Sequence, residues 1–580
     1  MHCPVLQAGR GTVETQDVFL GLHRKPRIQP GEFYDMKNLT SDLTPVMSPR
    51  RPRGVVIPKG NFQGLAGKDT LYYVEGSELV MNGARLELGL SQKPEDCPKQ
   101  LISMGAYLII LPDKKYVNTA DRKDHGSMEA EVTTEGPVTI SQCSLDGAEI
   151  LPEFVGPDLP KTPTDRSYWL DTGSQPPVLK QYAKATDLWI VVENPYVKLG
   201  CPGIGKGFSR YDGVQISGLT DEDLKDLNGA NILYERGDDF LVVPGLLSRK
   251  LTQENPVKIR RSVPPMDFVV ESGNRLWGCR YGPNEQGQVV NEIYASKLGD
   301  FKNWSCYLGI STDSYTVSLG SDGPFTGAIT HGGHPLFFKE KCVHKIFGQM
   351  PANFQVQTVD CRGVQAGCHR SLAIVGEVLY YKSPTGICAY DGSLPQVVSE
   401  PLGEISRGRA VGAAVGNKYY ISMEQGKNWE LLVFDTARGL WHREDDLAAY
   451  LMCPCREELF CVDQDGRLLA LLGTLGQPEG PVSWMAQTGV LGATLPGNKY
   501  LGRLGLRMLL DPGSRVTVQA QYDSAGPWED LGTVQGMNLR SFVLPVVPRR
   551  CDHLRLRLLG EGNAMVFSVT RTVMPGSDAG

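Results

Sequence analysis

LAIVGEVLYYKSPTGICAYDG, residues 372–392, is a short apolar strand that reaches a tight turn and returns as a second strand. The same pattern occurs elsewhere, with clear copies that start at Leu71, Asp267, His334, Ala414 and Glu457 and a weaker copy that starts at Leu101. In the later part of the chain the copies recur roughly every 40 to 50 residues, which is the spacing of propeller blades. A blade is a four-stranded sheet that cannot bury both faces alone, so a ring of blades supplies the core. The sequence therefore predicts an all-β fold with a β-propeller of about seven blades.

Composition limits the classes of function. The 580 residues are enough for more than one domain, and the 66 Gly and 39 Pro without a short repeat favour a turn-dense β protein. A net charge of −6 argues against sequence-specific nucleic-acid binding, and no stretch reaches the ~20 apolar residues of a membrane span. The first residues contain no apolar segment, so we expect no secretory signal. The 14 scattered Cys are typical of a protein made in a reducing cytoplasm.

The strand pattern divides the chain into regions. Residues 1–60 are rich in Pro and Arg and are predicted to form an extended arm. Blade-like units occupy residues 61–121 and 259–474, and between them residues 122–258 carry polar loops and a β pattern of their own, which indicates a small inserted β module. In residues 475–580, segments such as LRLRLLG alternate apolar and polar residues. This alternation is typical of strands with one wet face and predicts a C-terminal β-sandwich.

Two motifs with possible binding chemistry have a better structural interpretation. GCPGIGKG, Gly200–Gly207, lacks the Ser or Thr of a phosphate-binding loop and precedes a strand rather than a helix. Cys453, Cys455 and Cys461 fall within predicted strands, whereas zinc ligands lie in tight turns. The sequence therefore predicts no cofactor site and no metal site.

Two acidic segments carry residue types that could serve catalysis or bind Ca²⁺. WHREDD, residues 441–446, is predicted to be the end of a hairpin with Trp441 in the core and its acids solvated at the rim. The acidic segment 220–229 lacks the spacing of a Ca²⁺ loop, although Ca²⁺ at this rim loop stays an alternative. We therefore predict no catalytic residue and a protein that is not an enzyme.

Residues 19–54, FLGLHRKPRIQPGEFYDMKNLTSDLTPVMSPRRPRG, carry a Gly-Glu-Phe-x-Asp-x-x-Asn-Leu segment and a Ser-Pro-Arg close. This stretch resembles the opening of virion-associated β-propeller proteins from tailed phages and prophages of Gram-positive bacteria. His23 departs from the Asn that such openings usually carry. Residues 297–340 and 548–562 also resemble these proteins, and in outline the chain is similar to the propeller-containing nozzle and connector proteins of short-tailed phages.

The resemblance implies a structural virion protein of the tail or the head–tail connector, made in the bacterial cytoplasm and located in the virion. Its implied partners are other virion proteins and copies of itself. The arm of residues 19–54 is predicted either to reach a neighbouring subunit or to close the ring, through the following assembly residues: Phe19, Gly31, Glu32, Phe33, Asp35, Asn38, Leu39, Arg50, Arg51 and Arg53.

Two other functions stay open at this point. The first alternative is a carbohydrate-binding or glycan-cleaving propeller for host attachment, whose partner would be a host-surface glycan. The second is a cytoplasmic scaffold with a protein-binding propeller face.

Overall fold

The structure is a computed structural model that describes residues 11–284, 286–492 and 497–576. Strands make up 51% of the chain and helices 3%, which confirms the predicted all-β class. The helical residues described form short 3₁₀ turns: Pro94–Asp96, Glu222–Leu227, Pro351–Asn353, His369–Ser371 and Glu400–Leu402. The described residues contain no helix with the length and apolarity that a membrane crossing requires.

The repeated sequence pattern forms small antiparallel sheets in which consecutive strands are neighbours. We number them repeat sheets 1 to 7. Sheet 1 consists of Phe62–Gly67, Leu71–Glu75, Glu78–Met81 and Ala84–Glu87. Sheet 2 consists of Gln100–Met104, Tyr107–Leu111, Lys115–Asn118 and His125–Ser127. Sheet 3 consists of Phe268–Ser272, Arg275–Pro283, Val289–Ala295 and Tyr315–Ser318. Sheet 4 consists of Gly327–His331, His334–Phe338, Cys342–Phe347 and Gln355–Asp360. Sheet 5 consists of Ala373–Val375, Val378–Ser383, Gly386–Tyr390 and Gln396–Val397. Sheet 6 consists of Ala410–Val415, Lys418–Gln425, Asn428–Asp435 and Leu440–Arg443.

Repeat sheet 7 joins two distant parts of the chain. Its strands are Ala449–Cys455, Glu458–Asp463 and Leu468–Ala470, followed by Gly54–Ile57 from the N-terminal region and the short Gln477–Pro478. Its first strand contacts the first strand of sheet 6 on one side and that of sheet 1 on the other. Sheet 7 is therefore in contact with both the sixth and the first sheet of the series.

Stacking of the sheets explains why their strands are apolar on both faces. In sheet 6, Tyr419 and Leu432 pack in one buried cluster with residues of sheet 5. Tyr420 and Leu431, which point to the opposite face, pack in a second cluster with residues of sheet 7. Each sheet thus buries two faces against two neighbours, which a single hairpin pattern cannot do alone.

The inserted module is built from two sheets around its own core. One sheet contains Ala130–Thr133, Lys258–Arg261, Gly213–Ser217 and Gly229–Ile232, and the other contains Glu235–Gly237, Phe240–Pro244, Tyr196–Gly200, Val138–Cys143 and Leu251–Gln253. Both contribute to a buried cluster that includes Ile140, Leu199 and Ile216. A third sheet, here called the projecting sheet, is formed by Phe154–Gly156, Tyr168–Asp171, Val178–Ala183 and Leu188–Val191.

The C-terminal strands pair with strands from the N-terminal region. One sheet is Thr12–Gln16, Ala564–Pro575, Lys499–Leu510 and Asn538–Leu544, and the other is Gly21–Leu22, Glu32–Lys37, Ser483–Thr488, Leu554–Glu561, Arg515–Tyr522 and Glu529–Gln535. A small hairpin, Leu39–Thr40 with Ser48–Pro49, follows. The N-terminal region, predicted as an extended arm, therefore contains short strands, because the edges of these C-terminal sheets offer backbone groups that need partners.

Candidate functional site

The predicted assembly residues lie between the C-terminal sheets and repeat sheets 6 and 7. Phe19 and Phe33 are buried and their rings stack with centroids 5.8 Å apart. Leu39 is also buried, and Gly31 has a φ of +97° at a point where a Cβ atom would lie 2.4 Å from the Val18 carbonyl oxygen. These residues hold the N-terminal strands on the body of the same chain.

The polar members of the predicted set make further contacts within the chain. The Glu32 carboxylate accepts a hydrogen bond from the Gln29 amide at 2.6 Å, and Asp35 pairs with Arg443 at 3.2 Å. Asn38 accepts a hydrogen bond from Arg50 at 2.8 Å and donates one to the Ser483 carbonyl oxygen at 2.7 Å. In contrast, Arg51 is exposed.

Arg50 and Arg53 form a buried ionic network with the acids of the WHREDD segment. Arg53 lies 2.7 Å from both Glu444 and Asp445, and Arg50 pairs with Glu479. Burial alone would raise the pKa of the Asp445 carboxyl, but Arg53 and Arg50 hold this pKa below its ordinary value. The expectation that these acids are solvated at the rim is wrong for Glu444, which is 4% exposed, because the two arginines require buried partners.

The other sequence motifs have structural roles. Trp441 is buried, as predicted, and donates a hydrogen bond to the Val398 carbonyl oxygen at 2.9 Å. In the glycine-rich stretch, Ile204 is buried and a Cβ atom on Gly205 would lie 1.9 Å from the Gly237 carbonyl oxygen, so this loop packs on a hairpin of the module. The described residues contain no cluster of three or more metal-ligating side chains.

The projecting sheet carries an aromatic cluster on one face. Strand pairing places Phe154 opposite Trp169, Trp169 opposite Lys180, and Tyr182 opposite Trp189, so these side chains share one face. The Trp189 ring lies 6.1 Å from that of Phe154, 5.5 Å from Trp169 and 5.3 Å from Tyr182. We call this surface the aromatic face.

Charged groups accompany the aromatic face. The Lys180 ammonium lies 4.8 Å above the Trp169 ring and 2.8 Å from the Asp171 carboxylate. Hydrogen bonds from Lys180 and Ser174 lower the pKa of Asp171 to about 2, so its carboxylate is ionised at neutral pH. The Tyr182 hydroxyl donates to Asp187 at 2.6 Å. Trp169 and Asp171 are buried. The accessible part of the aromatic face therefore consists of the partly exposed side chains of Phe154, Lys180, Tyr182 and Trp189.

The opposite face of the projecting sheet is aliphatic. Val155, Leu188 and Ile190 are 53%, 60% and 56% exposed. Among the strands and helices of the described residues, the strands of this sheet make extensive contacts only with one another. Leu170 and Leu179 share the aliphatic face and are buried, so the exposed row lies beside a packed part of the same face.

Neither face was predicted from the sequence. The LWIVVE segment predicts a strand but not a binding surface. Trp169, Tyr182 and Trp189 lie in three different strands of the sheet. The available signal was that alternate residues of a strand share a face. Their meeting on one face also required the pairing register, which the sequence pattern leaves undetermined.

Comparisons with known proteins give similarities to solved structures only. No protein-family model matches the chain, and no curated protein matches it. An exo-β-1,3-galactanase from Phanerochaete chrysosporium has a TM-score of 0.21 at 7% identity over 52% of this chain and 95% of its own. A glycoside hydrolase has a TM-score of 0.21 at 9% identity over 51% and 96%, and apo AztD from Citrobacter koseri has 0.26 at 10% over 74% and 96%. Because all three TM-scores are below 0.5, these similarities assign neither a substrate nor a reacting residue to this chain.

One prediction is corrected by these comparisons. The prediction that this protein is not an enzyme is wrong as an exclusion, since the similar structures include a galactanase and a glycoside hydrolase. Nothing in the comparisons points to a virion protein.

Proposed function

We propose that this protein binds a glycan through the aromatic face of its projecting sheet. We further propose that the seven repeat sheets form one closed seven-bladed propeller and that the C-terminal sheets form a β-sandwich against it. In this arrangement the propeller and sandwich are the scaffold, and the inserted module presents the binding surface. The observation that carries the proposal is the partly exposed Trp189 ring, held by three aromatic neighbours beside the Lys180–Asp171 pair.

The chemistry of this face suits a pyranose ring. One side of such a ring presents C–H groups, which pack on the face of an aromatic side chain, while hydroxyl groups at its edge need hydrogen-bond partners. The Lys180 ammonium has three donors, of which one is used by the buried Asp171 carboxylate, and the Tyr182 hydroxyl can accept as well as donate. Because the three neighbouring rings hold Trp189 in place, little side-chain entropy is lost on binding.

The Trp189→Ala variant tests this function. The probes are a glycan array and purified cell-wall polysaccharide from a Gram-positive bacterium, with binding measured by titration. Loss of the indole should weaken binding by at least about tenfold, and Trp189→Phe should retain part of the affinity. Released reducing ends, measured in the same incubations, report whether the bound glycan is also cleaved.

The matched control is Leu188→Ala, on the opposite face of the same strand, which should bind as the wild type does. Circular dichroism establishes that each variant is folded. Equal binding by the wild type and the Trp189→Ala variant would contradict the proposal, and so would the absence of binding to every glycan tested.

A second candidate is the phage virion component suggested by the resemblance of residues 19–54. The aliphatic face of Val155, Leu188 and Ile190 supports it, because an exposed apolar row of this kind suits contact with another protein subunit. Electron microscopy should then show ordered assemblies of the purified protein, and Leu188→Asp should disperse them. A monomer at all concentrations would contradict this candidate.

A further inference from the structure

Residues from several repeat sheets meet around Arg370. Arg370 lies in the 3₁₀ turn that precedes sheet 5, and it donates a hydrogen bond to the carbonyl oxygen of Pro98, just before sheet 2, at 3.2 Å. The neighbouring His369 ring lies 5.0 Å from the ring of Phe268, the first residue of sheet 3. Since sheets 2 and 5 are not adjacent in the succession, this contact places Arg370 where the sheets converge. We call Pro98, Phe268, His369, Arg370 and Tyr450 the central cluster.

Arg370, which is partly exposed, differs in its partners from the buried arginines among the described residues. Arg53 and Arg261 pair with carboxylates. Arg275 has no carboxylate partner, but it donates to the carbonyl oxygens of Ser296, Ser311 and Asp313. In the part of the chain that the structure describes, the Arg370 guanidinium donates to the Pro98 carbonyl oxygen and forms no ion pair with a carboxylate. A partly desolvated cation without an anion is unfavourable, so the remaining donors of Arg370 are suited to an anionic ligand.

The local electrostatics agree with this geometry. Burial lowers the pKa of Arg370 to about 10, against a small opposing effect of the Tyr450 phenol in sheet 7. Burial and the nearby Arg370 charge lower the pKa of His369 to about 3, so the imidazole is neutral at physiological pH. Arg370 therefore remains the cation of the central cluster at neutral pH.

We propose that the central cluster binds an oxyanion, a carboxylate or phosphate group of a ligand, through the Arg370 guanidinium. The planar guanidinium matches such groups with two parallel hydrogen bonds and is weakly hydrated, which suits a site with limited access to water. This site is separate from the aromatic face and does not depend on the glycan proposal.

Calorimetric titration of the full chain tests the inference. The probes are inorganic phosphate, glucuronate and glucose; glucuronate and glucose share a sugar ring and differ in the carboxylate. At least one of the two anions should bind, glucose should not, and Arg370→Gln should weaken anion binding by at least about tenfold. Binding of phosphate alone identifies a phosphate ligand, and binding of glucuronate alone identifies a carboxylate ligand.

Three variants make the result specific. Arg370→Lys keeps the charge but not the paired hydrogen bonds, and should bind the same anion more weakly; it carries the test if Arg370→Gln does not fold. Arg362→Gln removes an exposed arginine that lies earlier in the chain and outside the central cluster, and this variant should bind as the wild type does. Trp189→Ala should leave anion binding unchanged, which separates this site from the proposed glycan face. Absence of binding by both anions, or equal affinity in the wild type and Arg370→Gln, would overturn the inference.

Discussion

Replacing Arg53 by Met should weaken the attachment of the N-terminal region to the rest of the molecule. Arg53 directly precedes Gly54–Ile57, the strand that completes repeat sheet 7. Its side chain is 5% exposed, and the guanidinium lies 2.7 Å from the Glu444 and Asp445 carboxylates, whose side chains are 6% and 18% exposed. Methionine preserves most of the packing and removes the charge, so the Glu444 and Asp445 carboxylates lose a cationic partner while they remain largely buried.

The magnitude follows from the neighbours. Breaking a buried ion pair by removing one partner costs about 3–5 kcal/mol. Arg50 remains 3.9 Å from Glu444 and 3.7 Å from Asp445 and compensates in part, which favours the lower end of that range. We expect a loss of about 3 kcal/mol in the free energy of unfolding, or about two orders of magnitude in the equilibrium constant.

Urea unfolding followed by tryptophan fluorescence measures the loss, because Trp441 and Trp484 are both buried in the core cluster next to this junction. The control is Arg51→Met, since the Arg51 side chain is exposed. If Arg53→Met lost no more stability than Arg51→Met, the network would not hold the N-terminal strands, and the reasoning would be refuted.

The pH dependence gives an independent check with a defined sign. Arg53 and Arg50 depress the pKa of Asp445 in the folded protein below its ordinary value of 3.8, against the opposite effect of burial. The unfolded chain therefore binds more protons, and the stabilisation is fully present above pH 3.8 and is lost as pH falls through the folded-state pKa. This acid-induced loss should be smaller in Arg53→Met than in the wild type, as measured by urea unfolding at a series of pH values.

Two further substitutions test other parts of the fold. In Gly560→Ala a Cβ atom would lie 1.9 Å from the Trp484 ring, so we expect a loss of about 1–3 kcal/mol in urea unfolding. The control Gly480→Ala has open space and should be neutral; an equally small effect of both would contradict the packing described. Arg261→Met should leave the buried Asp212 carboxylate unpaired and destabilise the inserted module by about 3–5 kcal/mol, seen as faster proteolysis of that module. The control Arg260→Met removes a half-exposed arginine and should have little effect. Equal proteolysis of the two variants would disprove the role of the Arg261–Asp212 pair.

The pairing of strands within each repeat sheet could be predicted because it is local. In LYYVEGSELVMNG the alternation of Tyr72 and Val74 and the turn at Gly76 are enough to form a hairpin, and Gly76 has the positive φ of +62° that the turn requires. The sequence also predicts an inserted module, because the strand pattern of residues 122–258 interrupts the spacing of the repeats. The all-β fold class can therefore be predicted from the sequence, because it depends on hairpins between consecutive strands.

Other features depended on contacts between residues far apart in the chain. Gly54–Ile57 pairs with Leu468–Ala470, and Thr12–Gln16 pairs with Ala564–Pro575, because those strands lie at sheet edges with unpaired backbone groups. No local pattern distinguishes such a strand from an extended arm. The aromatic face needed the register of its sheet, and the missing partner of Arg370 emerged only once the surrounding sheets were assembled. Sequence alone determined which segments form β-hairpins, while the tertiary structure decided which distant edges, rings and charges meet, since those contacts arise from packing in three dimensions.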